Sequence, residues 1–101
     1  MNGPIKYTSV ADLATEVKAV ADRLFPGRTD QSMYLKLYEE TAEVISSDGS
    51  PDEVADIFIL WLDYAERKGI DIQAEVKKKL DILKQREWEI DPNGVYQHKG
   101  K

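Results

Sequence analysis

Four carboxylates in two spaced pairs, Glu40/Glu43 and Glu53/Asp56, are the residues of this chain best suited to chemistry. Each pair is spaced i, i+3, which puts both side chains on one face if the segment is helical. The break Ser46-Ser47-Asp48-Gly49-Ser50-Pro51 lies between the pairs. Two helices folded back across it bring four acidic groups to one place, where they repel unless cations lie among them. An all-oxygen donor set suits Mg²⁺, or Mn²⁺ in its place, rather than zinc or copper. That outlines a metal-dependent phosphate enzyme.

Each half of the pattern has a plainer reading. A charged pair at i, i+3 is ordinary on a solvated helix face. Glu53 also sits where a capping-box glutamate reaches back to the Ser50 amide. Asp56 resists the plain reading, because Ile57-Phe58-Ile59-Leu60-Trp61-Leu62 follows it directly. A carboxylate at the border of such a surface is costly to desolvate without a cation or donors. Rival chemistries find no residues. Di-iron bundles use Glu-x-x-His, and the single histidine, His98, has valine three residues before it. There is no cysteine, hence no thiol chemistry or disulfide framework. No Ser/His/Asp set and no P-loop glycine pattern occurs.

Four helices are expected to position these acids. The first spans about 10–24, capped by Ser9 or Thr8, with Val10, Leu13, Val17, Val20, Ala21 and Leu24 as one apolar stripe. Phe25-Pro26-Gly27 ends it. The second begins after Thr29 or Asp30 and reaches about Ser46, with Tyr34, Leu37, Tyr38, Thr41 and Ile45 as its inner face and Met33 and Val44 beside it. The third starts at Ser50-Pro51-Asp52-Glu53 and carries Val54, Ile57, Phe58, Trp61, Leu62 and Ala65 on one stripe. Ile59, Leu60 and Tyr64 widen that stripe so far that a second subunit is expected to cover part of it. Gly69 ends the third helix and Asp71 caps the fourth, whose buried edge is Ile72, Val76, Leu80 and Leu83. The fourth fades after Trp88, and Asp91-Pro92-Asn93-Gly94 reads as a turn. No window alternates as a strand. Trp61 reads as packing, Trp88 as a cover for the site or a pin for the tail, and His98 as a tail residue.

The 101 residues make one domain, with a core at about 9–90, flexible N-terminal residues and a C-terminal tail. A net charge of −5 argues against a nucleic-acid polymer as partner. The longest apolar run, 57–62, is too short to span a membrane, and the first residues lack the parts of a signal peptide. A cytoplasmic protein is the expectation.

Glu39-Glu40-Thr41-Ala42-Glu43 followed by Glu53-Val54-Ala55-Asp56 resembles the EExxE and ExxD motifs of the MazG-like all-α nucleoside triphosphate pyrophosphohydrolases, in a short, phage-associated branch. Phe25-Pro26 with Ser32 is similar to that branch's opening segment, and Lys79 with Arg86-Glu87-Trp88 to its closing K…R-x-W helix. Asn93-Gly94-Val95 and His98 resemble its tail. Two departures stand out: only nine residues separate Glu43 from Glu53, and Leu83 stands where related sequences often have asparagine.

The resemblance implies an all-α, four-helix MazG-like bundle whose site lies on an antiparallel helix pair and is completed by oligomerisation, as a dimer or tetramer. It implies Mg²⁺-dependent cleavage of nucleoside triphosphates, deoxynucleotides favoured, to monophosphate and pyrophosphate. Glu40, Glu43, Glu53 and Asp56 would hold metal, Glu39 with Glu40 would serve catalysis, and Lys79 and Arg86 would hold phosphate oxygens or pair with the acids. The alternative is a non-catalytic oligomeric helical interaction module, or one that binds nucleotides without cleaving them.

Overall fold

The computed structural model describes residues 9–100. They form α1 (Val10–Leu24), α2 (Asp30–Ser46), α3 (Pro51–Arg67) and α4 (Ile72–Gln85), then strands β1 (Trp88–Ile90) and β2 (Tyr96–His98). Thr8 and the N-terminal residues expected to be flexible lie outside the described residues.

Local chemistry sets the helix ends. The Ser9 hydroxyl accepts from the Asp12 amide at 3.0 Å and starts α1. Thr29 and Ser32 cap α2 reciprocally: Thr29 Oγ1 accepts from the Ser32 amide at 3.1 Å, and Ser32 Oγ from the Thr29 amide at 2.9 Å. The α2–α3 turn passes through Asp48 at φ 57° and Gly49 at φ 78°, and the Gly49 amide closes it on the Val44 carbonyl at 2.8 Å. Asp71 caps α4 through the Ala74 amide.

Ion pairs fix the helix arrangement. Asp30, at the start of α2, receives Arg67 Nη1 at 3.0 Å and Lys68 Nζ at 2.8 Å from the end of α3, so the two helices run antiparallel. Arg28, in the α1–α2 connection, grips Asp63 of α3 with two bonds, Nε to Oδ2 at 2.6 Å and Nη2 to Oδ1 at 2.8 Å. Both side chains are close to fully buried.

The core consists of Ala14 and Ala21 of α1, Met33 and Leu37 of α2, and Leu62 and Ala65 of α3. The alanines let α1 approach α3 closely. Several expected faces differ. On α2 the buried stripe is Met33-Leu37-Glu40, while Tyr34, Tyr38, Thr41 and Ile45 face outward. That is a rotation of one residue, roughly 100°. On α3, Val54, Phe58 and Trp61 are exposed, and on α1 so are Val10, Val20 and Leu24. No residue of α4 is buried. Val76 and Leu80 are open and Ile72 and Leu83 half-covered, because α4 leans only on α1 and α3.

The tail is a β-hairpin, contrary to the absence of strands expected from sequence. The helix stops at Gln85, where Arg86 turns extended, instead of fading beyond Trp88. Trp88 pairs with His98, Glu89 with Gln97 and Ile90 with Tyr96. Asp91 closes the turn by accepting from the Asn93 and Val95 amides, both at 2.9 Å, and from Gln97 Nε2 at 3.0 Å. Apart from Trp88 Nε1 donating to the Leu83 carbonyl of α4 at 3.3 Å, the hairpin packs on no helix among the described residues, and the radius of gyration is 16.7 Å, against about 13 Å for a compact chain of this length. No described helix is long and apolar enough to cross a membrane.

Bonds from Val95 first, then from the Gln97 side chain, hold the Asp91 carboxyl below the usual aspartate range. The folded value is depressed, so its contribution is present above the ordinary aspartate value and lost as pH falls through the folded one. The protection of the Val95 amide against exchange, relative to an unfolded amide at the same pH, should fall below about pH 4. In Asp91→Asn that pH dependence should disappear.

Candidate metal centre

Carboxylate oxygens of Glu40, Glu43 and Glu53 lie within 4.8 Å of one another. The α2 spacing puts Glu40 and Glu43 on one face, and the tight turn to antiparallel α3 brings Glu53 across to them. Glu40 is buried, Glu53 half-buried and Glu43 exposed.

Glu40 Oε2 and Glu53 Oε2 are both shut off from solvent and have no hydrogen-bond partner among the described residues. Burying an ionised carboxylate oxygen without a donor is costly, and two side by side compound the cost. Among the described residues the cation at hand is Lys36, whose Nζ lies 3.4 Å from Glu39 Oε1 and 3.5 Å from Glu40 Oε1. It leaves both orphaned oxygens unserved. Three clustered carboxylates, two of them with buried, unsatisfied oxygens, fit a hard divalent ion with oxygen preference, Mg²⁺ or Mn²⁺.

Glu53 does not take the capping role open to it. Ser50 makes no side-chain cap, and its hydroxyl donates instead to Asp52 Oδ1 at 3.0 Å. Burial, then the charges of Glu43, Asp52, Asp56 and Glu40, push the Glu53 carboxyl up. A raised folded value means the folded chain binds more protons than the unfolded one, so ion-free stability falls as pH rises through that window. Glu53→Gln should therefore raise the melting temperature of ion-free protein at neutral pH while abolishing the rise that MnCl₂ gives the parent. Paired thermal melts with and without MnCl₂ check both signs.

The other expected site residues are not part of this trio. Asp56 is exposed and outside the clustered oxygens, though its charge is felt at Glu53. Glu39 is exposed and touches Lys36. Lys79 is exposed and Arg86 half-buried. Neither is ion-paired among the described residues, and α4 does not pack against α2, so the expected pairing of these cations with the acids is not formed among the described residues. Trp61 is half open, its ring edge-on to Tyr64 at 5.9 Å, and Trp88 lies against His98 at 6.0 Å.

Sequence reasoning missed Lys36 and the Arg28–Asp63 pair. Lys36 was detectable, since it precedes Glu39 and Glu40 by three and four residues on one helix. Asp63 carried a weaker signal, a lone acid inside Trp61-Leu62-Asp63-Tyr64.

No protein-family model matches the chain. Two curated phage proteins do, each named dATP/dGTP diphosphohydrolase. That of cyanophage S-2L is 39% identical over 92 residues, covering 89% of this chain and 88% of the relative. That of Salmonella phage PMBT28 is 40% identical over 91 residues, 89% of this chain but 31% of the longer relative. Among solved structures, the cyanophage S-2L MazG-like pyrophosphohydrolase bound to dGDP and three catalytic Mn²⁺ ions per active site superposes with a TM-score of 0.80. The identity there is 39%, over 91% of this chain and 98% of that one.

Proposed function

The chain belongs to the phage branch of the MazG-like pyrophosphohydrolases, and from that premise we propose that its substrates are the deoxypurine triphosphates, each cleaved to monophosphate and pyrophosphate. It is a metal-dependent hydrolase of nucleotide anhydride bonds, using Mg²⁺ or Mn²⁺. The observation that carries the site is the pair of buried, partnerless oxygens on Glu40 and Glu53, with Glu43 beside them.

Glu40, Glu43 and Glu53 would hold the metal, with Asp56 at the margin. A divalent ion there supplies the positive charge that neutralises the triphosphate and polarises the phosphorus under attack. Glu39 is exposed beside the trio and takes a proton from the attacking water. Lys36 screens Glu39 and Glu40 from each other and holds both in place. Lys79 and Arg86, without an ion pair among the described residues, grip phosphate oxygens, the lysine as a point charge and the arginine in a fork.

The working form is an oligomer acting in the cytoplasm, where nucleotide pools are met. Support comes from the outward apolar surface of α2 and α3, where Tyr34, Tyr38, Ile45 and Trp61 line a groove of about 530 Å³. Contiguous exposed apolar surface of this kind marks an interaction site. Sedimentation should report a dimer or tetramer, and Trp61→Glu should shift it toward monomer.

Incubation with each common nucleoside and deoxynucleoside triphosphate plus Mg²⁺, with pyrophosphate and orthophosphate measured separately, tests the function. Pyrophosphate in step with monophosphate, fastest for dATP and dGTP, is expected. Orthophosphate would mean a different bond is cut, and nucleotide binding without turnover would favour the non-catalytic reading.

A further inference from the structure

Glu40 presents its two oxygens to different surroundings. Oε2 is shut off from solvent with no hydrogen-bond partner among the described residues, whereas Oε1 has the Lys36 ammonium at 3.5 Å. The same ammonium lies 3.4 Å from Glu39 Oε1. Helix stability does not account for this lysine. An acid placed before a base at i, i+4 supports a helix better than the reverse order found here. Lys36 and Glu39 are both largely exposed, and pairs of that kind contribute little. The pair with Glu40 differs, because that carboxylate is buried and belongs to the trio.

Hard cations differ in how they use a carboxylate. Mg²⁺ demands near-ideal octahedral geometry, takes one or two carboxylates and keeps several waters. Ca²⁺ is larger, accepts about 6–8 oxygens in a flexible shell, and readily chelates a carboxylate through both of its oxygens. Glu40, Glu43 and Glu53 each bring one oxygen to a common place. Single oxygens suit the octahedral ions, whereas a calcium shell fills better when one of the three chelates. Glu40 is the enclosed member of the trio, and Lys36 stands at the second oxygen that chelation would need.

We propose that Lys36 selects the ion: by holding Glu40 Oε1 it leaves Glu40 one oxygen for the metal, and so favours Mg²⁺ and Mn²⁺ over Ca²⁺; the inference rests on the metal-centre reading above. An ion drawn onto both oxygens of Glu40 would compete with the ammonium for Oε1 and lie beside a like charge. An ion on Oε2 alone leaves the lysine in place, and the carboxylate is shared between the two cations.

Calorimetric titration of the parent, Lys36→Met and Lys36→Arg with MnCl₂ and with CaCl₂ tests this. Removing a positive charge favours any divalent ion, so the ratio of the two affinities is the quantity that discriminates. Lys36→Met should raise Ca²⁺ affinity relative to Mn²⁺ by about tenfold, while Lys36→Arg, which keeps the charge, should stay within about twofold of the parent ratio. Infrared spectra give a second readout, since the gap between the two carboxylate stretches narrows when a carboxylate chelates. That narrowing should be stronger in calcium-loaded Lys36→Met than in the calcium-loaded parent. An unchanged ratio in Lys36→Met, an equal change in both variants, or identical infrared spectra would overturn the role of Lys36. A parent that binds neither ion would sink the metal centre and this inference with it. A shifted ratio in a protein that releases no pyrophosphate would uphold Lys36 and sink the hydrolase reading instead.

Discussion

Glu40→Gln should lower dATP and dGTP hydrolysis by three orders of magnitude or more while the helices stay folded. The argument runs from charge. Glu40 is the buried member of the acidic trio, and its Oε2 has no partner among the described residues. A carboxylamide keeps the volume and removes the charge that draws a cation inward. Divalent ions in such sites contribute several kcal/mol to the transition state, and a thousandfold rate loss corresponds to about 4 kcal/mol. The same change should erase the thermal stabilisation given by MnCl₂. A ligand at a hundred times its Kd stabilises by about 2.7 kcal/mol, and that increment should be missing from the variant. A variant that keeps the manganese shift and the rate would place the metal elsewhere.

The largest stability effect should come from Arg28→Ala. Arg28 and Asp63 are nearly enclosed and joined by two short bonds, and the bond to Asp63 before all else pushes the guanidinium pKa up. Removing the arginine strands a buried carboxylate, at a cost of about 3–5 kcal/mol. In a domain of this size each kcal/mol moves the melting temperature by about 4–8 °C, so a fall of at least about 12 °C is expected. Replacing both residues, Arg28→Met with Asp63→Leu, should recover most of that loss, because the penalty belongs to the stranded charge. A single variant that melts like the parent would show that the clamp contributes little.

The helix limits were legible because they are written in short-range chemistry. Ser9, Thr29, Asp71 and Gly69 act within a few residues of themselves, and each sits at the boundary that its type predicts. Which face turns inward was less legible. α3 is apolar around more than half its circumference, and α2 offers two adjacent stripes, Met33-Leu37 and Tyr34-Tyr38. Periodicity alone could not choose between them. The choice is made by contacts distant in sequence, such as Arg28 on Asp63 and Arg67 on Asp30. The hairpin was missed because its strands are three residues long, too short for alternation to register, although the turn at Asp91-Pro92-Asn93-Gly94 was readable.

At the site, the spacing of Glu40 and Glu43 and the break before Glu53 were visible in the sequence, since both depend on local geometry. The orphaned oxygens were not, because burial is a property of the packed helices. Glu53 also shows how two sequence rules compete. Its position suits a capping box, yet its carboxylate turns toward Glu40 and Glu43, and Ser50 hydrogen-bonds Asp52.

Crystals grown with MnCl₂, measured at a wavelength where manganese scatters anomalously, give the most direct test of the metal centre. Anomalous peaks enclosed by the carboxylates of Glu40, Glu43 and Glu53 are the predicted result. Manganese bound only elsewhere, with those carboxylates turned apart toward solvent, would contradict it.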